Sequence, residues 1–123
     1  MKWCLIAAAT LSVLAVEPAS AHHSTAMFDR DKEITVVGVV KQLQWTNPHS
    51  WLQVMAPDAT GNTVEWSFEA GSPNILGRQG WNRNAVKPGD KVTVLTHPLR
   101  DGKPGGIIMQ VTAPSGKIYY YHG

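Results

Sequence analysis

The sequence predicts a small all-β barrel of five to six strands, with one short helix between the third and fourth strands. Three observations carry that expectation. A long run of β-branched residues opens the domain around a central glycine, Gly38. Short alternations of apolar and polar residues, separated by turn residues, recur after it, which is the pattern of half-buried strands. A single helix-start signal, Ser72-Pro73, stands between the third and fourth of these alternations.

The first strand runs from Glu33 to Trp45, where Ile34, Thr35, Val36, Val37, Val39 and Val40 favour extended backbone because their branched side chains suit a pleated surface. Gly38 in its middle is expected to mark a bend or bulge at a barrel corner. Thr46-Asn47-Pro48 breaks the run, and His49 to Met55 forms the second strand, with Leu52 and Val54 on one face and His49, Trp51 and Gln53 on the other. After the turn from Pro57 to Asn62, the third strand, Thr63 to Glu69, alternates Val64, Trp66 and Phe68 inward against Glu65, Ser67 and Glu69 outward. That outer row is expected to be solvated. Ser72 can accept from the orphan N–H groups of a helix start, and Pro73 at the first helical position has no N–H to waste. Ile75, Leu76 and Arg78 follow in a short helix that Gly80 ends, and Trp81 folds back as an apolar plug. Lys87-Pro88-Gly89-Asp90 turns into a fourth strand, Lys91 to His97. Asp101-Gly102 and Gly105-Gly106 bracket a flexible hairpin loop, Ile107 to Thr112 is the fifth strand, and Lys117 to Tyr121 adds a sixth. Three strands, a helix, then two or three strands match the five-stranded Greek-key barrel known as the OB-fold. A small β-sandwich decorated by the helix is the alternative.

Ahead of this domain the chain reads as an export signal. Lys2 is followed by an apolar run from Leu5 to Val16, interrupted only by Thr10 and Ser12. The run is too short for a permanent anchor, and Ala19-Ser20-Ala21 offers the two small side chains, Ala19 and Ala21, that signal peptidase accepts at a cleavage site. Cleavage after Ala21 divides the chain into a signal peptide over 1–21, an N-terminal leader over 22–32 and a barrel domain over 33–123, and it leaves no membrane anchor. It removes 21 of 123 residues, among them the single cysteine, Cys4. The expected location is the periplasm, and stability there must come from packing because no disulfide remains. One basic and one acidic residue leave with the signal, so the formal charge stays at +2. That balance argues against a nucleic-acid partner.

All five histidines lie beyond the cut. Cleavage after Ala21 gives a chain opening His22-His23, and an N-terminal histidine chelates Cu(II) through its α-amine and its ring. A further imidazole, from His49 or His97, would complete the site; nitrogen ligands suit copper, which tops the divalent affinity order. A cut one residue earlier would put His22 second and His23 third, which also binds Cu(II) or Ni(II) through deprotonated amides. The competing view is that the paired histidines are only a polar leader.

Trp45-Thr46-Asn47-Pro48-His49-Ser50-Trp51 places two indoles, an amide and an imidazole around one turn, and loops at barrel ends are where OB-folds bind ligands. Asn47, Trp51, Glu69 and Arg78 are therefore candidate ligand-binding residues, set against a reading in which the tryptophans pack, His49 bonds to backbone at a strand start and structural reasons suffice for His97 before Pro98. Glu65 and Glu69 share a strand face but stand about 13 Å apart, too far for acid–base partnership. No HExxH, phosphate loop or nucleophile motif occurs.

Together, Ala21-His22-His23-Ser24, the segment from Trp45 to Trp51, Ser72-Pro73-Asn74-Ile75-Leu76 with Gly80-Trp81, and Pro88-Gly89-Asp90 leading to His97-Pro98-Leu99-Arg100-Asp101-Gly102 resemble the small exported bacterial proteins of domain of unknown function 6152. The resemblance implies a periplasmic protein of Gram-negative bacteria and carries no activity with it. The leading expectation is a periplasmic protein holding copper, or another late transition metal, through His22, His23 and His49 or His97. The alternative is a metal-free OB-fold module that binds a small molecule or an envelope protein through Trp51, His49 and the adjoining loops. A copper-dependent oxidoreductase ranks third.

Overall fold

A computed structural model describes residues 25–123. The signal peptide with Ala19 and Ala21, and the paired His22 and His23, lie outside the described residues. After a 3-10 turn at Thr25–Met27 come β1 (Ile34–Gln44), β2 (Ser50–Pro57), β3 (Thr63–Ala70), α1 (Pro73–Arg78), β4 (Lys91–Pro98), β5 (Gly105–Thr112) and β6 (Ile118–Tyr120). Neighbouring strands run β3-β2-β1-β4-β5-β6, and a parallel pairing of β3 with β5 closes the first five into a barrel. This is the OB-fold topology, with the helix between β3 and β4 as the sequence predicts.

The length of β1 lets it serve two partners. Ile34 to Val39 pair with β4, and Val39 to Gln44 pair with β2. Gly38 sits at this changeover, but the break in register falls between Val40 and Gln42, so the expected bulge is displaced along the strand. Gly38 has a different reason: a β-carbon there would collide with the Met55 carbonyl oxygen and stand 2.7 Å from Val54 Cγ1. Glycine lets the two strands cross closely.

Gly105 and Gly106, expected in a flexible loop, are the first residues of β5 and pair with Ser67 and Phe68. A β-carbon on Gly105 would lie 2.6 Å from the Ser67 carbonyl oxygen. The barrel closes through glycine because no side chain fits between these strands.

Inside, Leu52, Val54, Phe68, Val92, Val94 and Val111 are fully buried, each from the inward row of its strand. Leu76 of α1 is also fully buried and caps the core. Ser72 Oγ accepts from Ile75 N at 3.3 Å, as the helix-start signal requires. Trp81, 3 % exposed, folds back under the helix and donates Nε1–H to the Tyr120 carbonyl at 2.8 Å, tying the helix to β6.

Part of the expected N-terminal leader is built into the structure. Asp29 N donates to the Pro98 carbonyl at 2.8 Å, Arg100 N to the Met27 carbonyl at 2.9 Å, and Arg100 Nε to the Ala26 carbonyl at 3.0 Å. Phe28 bridges to Leu99 and is 4 % exposed. Residues 26–29 thus form an arm laid antiparallel along the end of β4 and the loop that follows it.

Candidate functional site

Facing positions on neighbouring strands put Trp51, Glu69, Ile107 and His97 in one row across β2, β3, β5 and β4. Their strand neighbours Leu52 and Phe68 point into the core, so this row lies on the outer face, as the alternation of β3 predicts. Burial corrects the rest of that expectation. Glu65 is exposed and its Oε1 meets Lys41 Nζ at 2.6 Å, but Glu69 at the other end of the row is only 5 % exposed.

A cavity of about 330 Å³ opens beside Glu69, walled by Trp51 and Ser67 of the sheet, Met27 and Phe28 of the arm, and Leu99, Lys103 and Pro104 of the β4–β5 loop. Tyr121 stands close enough to Glu69 for its phenol to feel the carboxylate's charge. The Tyr121 phenol is pushed above its ordinary pKa by burial first and by the Glu69 carboxylate second, with the Arg30 charge opposing both. Lining by β2, β3 and the β4–β5 loop places the cavity on the face where OB-folds bind ligands.

The nearest partner of Glu69 is His49. Its Nδ1 lies 3.2 Å from Glu69 Oε1, and the side chains are 31 % and 6 % exposed. The contact is an ion pair when the imidazole is protonated. The β1–β2 loop holds the histidine in place: Thr46 Oγ1 donates to the His49 carbonyl at 2.8 Å, and the next backbone N–H, that of the fully buried Ser50, donates to the Gly71 carbonyl at 3.0 Å. His49 and Trp51, two residues apart at the start of β2, flank the carboxylate.

The other sequence candidates go elsewhere. His97 Nδ1 donates to the Lys32 carbonyl at 2.7 Å, and the residue lines a separate cavity with Arg30 and the C-terminal tail. Two strand spacings, about 10 Å, separate its backbone from that of Glu69. Asn47 is exposed in the β1–β2 loop, Arg78 is exposed in the last turn of α1, and neither lines the cavity beside Glu69. His122 is clamped by Gln79, whose Nε2 donates to its carbonyl at 3.0 Å and whose Oε1 accepts from its N–H at 3.1 Å. Among the described residues, no three His, Cys, Asp or Glu side chains come together as a metal site. Met27, Phe28, Leu99, Lys103 and Tyr121 escaped the sequence reading, although the apolar pair Met27-Phe28 interrupting a polar leader was the available signal.

The cavity and the Glu69 carboxylate adjoin at the junction of arm, sheet and loop, and His49, which does not line the cavity, contacts the same carboxylate. The cavity can take a ligand with an apolar body, and the imidazole can meet a metal. Neither the curated proteins nor the solved structures include a match to this chain. The model of the family of unknown function DUF6152 matches residues 10–110, most of the chain, and the protein belongs to that family.

Proposed function

We propose that this chain is an exported, periplasmic binding protein that holds a late transition metal, copper foremost, where His49 meets the N-terminal histidines. The observation that carries the reading is the buried Glu69 carboxylate on Nδ1 of His49. Metal-binding histidines characteristically donate one ring N–H to a carboxylate, which fixes the tautomer and makes the other nitrogen more basic. Glu69 engages Nδ1, so His49 would meet a metal through Nε2. The negative charge of Glu69 would also offset the cation.

Chain reach supports the partnership with His22 and His23. Met27 lines the cavity beside Glu69, and His23 precedes it by four residues, at most about 14 Å of extended chain. Cleavage after Ala21 would free the α-amine of His22 as a further nitrogen ligand. Imidazole and amine donors in this number suit Cu(II) over Mg²⁺ or Ca²⁺.

The test is to export the precursor with its own signal, establish the mature N-terminus by mass spectrometry and titrate Cu(II) by calorimetry. Tight binding that weakens on His22→Ala and on His49→Ala is expected. Binding no tighter than micromolar, or indifferent to both substitutions, overturns the reading.

A second reading is favoured by the apolar walls of the cavity, chiefly Phe28, Trp51, Leu99 and Pro104. In it the chain is a metal-free module that takes a small molecule, or a side chain of an envelope protein, against Trp51. Trp51→Ala would abolish that binding while leaving a Cu(II) titration intact.

A further inference from the structure

We propose that the cavity between the turn at Asp29–Lys32 and the C-terminal tail binds a small organic monocarboxylate, with the Arg30 guanidinium as its anion anchor and the Tyr121 hydroxyl as a second donor. This cavity is separate from the one beside Glu69, so the inference depends on neither the metal nor the Trp51 ligand.

The walls are held by backbone contacts. Lys32 N donates to the Asp29 carbonyl at 3.1 Å, closing the turn that carries Arg30, and His97 Nδ1 ties that turn to β4 through the Lys32 carbonyl. In β5 the register slips where Leu95 pairs with Gln110 and Thr96 with Ile108, which leaves Met109 as the extra residue of a bulge. The Met109 carbonyl accepts from Tyr121 N at 2.9 Å, so the bulge anchors the tail. Trp81 holds Tyr120 and Gln79 holds His122, which pins the tail to the end of α1. A space of about 290 Å³ remains between turn, strand and tail.

Arg30 is the one side chain of this lining that stays charged at every physiological pH. Among the described residues neither an acidic side chain nor the carboxylate of Gly123 pairs with it, and Asp29 beside it is taken by Lys32 and Arg100. A planar guanidinium so placed matches a carboxylate through two parallel hydrogen bonds. Tyr121 shares the lining and feels the Arg30 charge, so the two groups converge on one space. Its hydroxyl bonds to no described residue, and burial with the Glu69 charge keeps it protonated, hence a donor. Glu69 itself does not line this cavity.

One permanent positive charge suits a monocarboxylate, whereas a phosphate monoester brings nearly two negative charges. Ile107 and Met109 give the rest of the ligand an apolar setting. The volume lies at the low end of small-molecule pockets, which limits that body to a short chain or a single ring.

The experiment is an NMR titration of the isotope-labelled exported protein with benzoate, benzyl alcohol and inorganic phosphate. Benzoate is expected to shift the amides of Arg30, Met109 and Tyr121 saturably, and benzyl alcohol, the same ring without the charge, to bind about tenfold more weakly. Arg30→Gln should lose about tenfold in benzoate affinity at an unchanged melting temperature, and Tyr121→Phe should lose less. No saturable shift with benzoate, equal binding of benzyl alcohol, or wild-type affinity in Arg30→Gln overturns the inference. A shift pattern centred on Phe28 and Trp51 overturns it too, because benzoate would then sit in the cavity beside Glu69. Phosphate that displaces benzoate at equal concentration reduces the site to a general anion hole and overturns the carboxylate assignment.

Discussion

At the scale of single residues, the most consequential position is Glu69, because a carboxylate on an outer strand face has been withdrawn from water. The alternation of β3 identified its direction from the sequence, since Val64, Trp66 and Phe68 define the inward row. It could not identify its burial. Its surroundings include residues 42 positions upstream and 52 downstream, Met27 on the same cavity and Tyr121 within reach of its charge, and no local pattern reports neighbours of such span. Two outcomes follow from the pairing with His49. His49→Ala takes the imidazole from a nearly buried carboxylate and should cost about 1–3 kcal/mol in urea denaturation at neutral pH. Glu69→Gln keeps the shape but removes the charge that orients the ring, so Cu(II) affinity should fall about 10–100-fold by calorimetry with little change in fold. Tyr121 contributes a pH dependence of defined sign. Burial and the Glu69 charge hold its phenol neutral in the folded protein beyond the ordinary value of 10.0, where the unfolded chain ionises. The unfolded state therefore releases a proton that the folded state keeps, and stability is lost as pH rises above about 10. Denaturation midpoints of wild type should drop between mildly and strongly alkaline buffers, and Tyr121→Phe should show a shallower drop.

Elements were legible where their signals are local, and less so where a distant partner sets the conformation. Helix α1 needs only its own residues: Ser72 caps, Pro73 occupies the first turn and Leu76 supplies the buried face. Ser72→Ala should cost about 1 kcal/mol, read as a shift in urea midpoint at constant slope, because Ile75 N loses its acceptor. Gly105 and Gly106 show the opposite case. Glycines after Asp101-Gly102 look like loop from the sequence, yet they are strand because β3 approaches in parallel at that point. A parallel neighbour 38 residues away leaves no alternation or turn signal to read. Gly38 is legible as special and sits where β1 changes partners, but its close crossing over Met55 and Val54 is not readable locally, and the register break lies further along β1. In the site itself, the segment from Trp45 to Trp51 was legible because its aromatic and imidazole side chains cluster in sequence. The arm was not, because polar residues around Met27 and Phe28 hide a docked segment.

At the scale of the whole molecule, the arm of residues 26–29 docks along the end of β4 and the loop that follows it, and its anchoring can be tested with one substitution. Phe28 is 4 % exposed, bridges Leu99 and walls the cavity, so its ring is shared between stability and site. Removing a buried phenylalanine ring costs about 3–5 kcal/mol where the surroundings cannot collapse, and the lower end is the expectation for an arm free to shift. The described residues contain no cysteine, since Cys4 is the only one in the chain, so no disulfide could mask such a loss. Phe28→Ala should therefore lower the melting temperature and also wet the cavity, moving tryptophan emission to longer wavelength as Trp51 gains water. Both changes should appear together. A leader merely resting on the surface would leave the emission and the melting temperature as they were. A destabilised core with the arm still docked would lower the melting temperature without the shift in emission. The coincidence of the two readouts distinguishes an arm that completes the barrel's outer site from one that only trails from it, and the proposed metal site depends on that distinction because His22 and His23 precede the arm in the sequence.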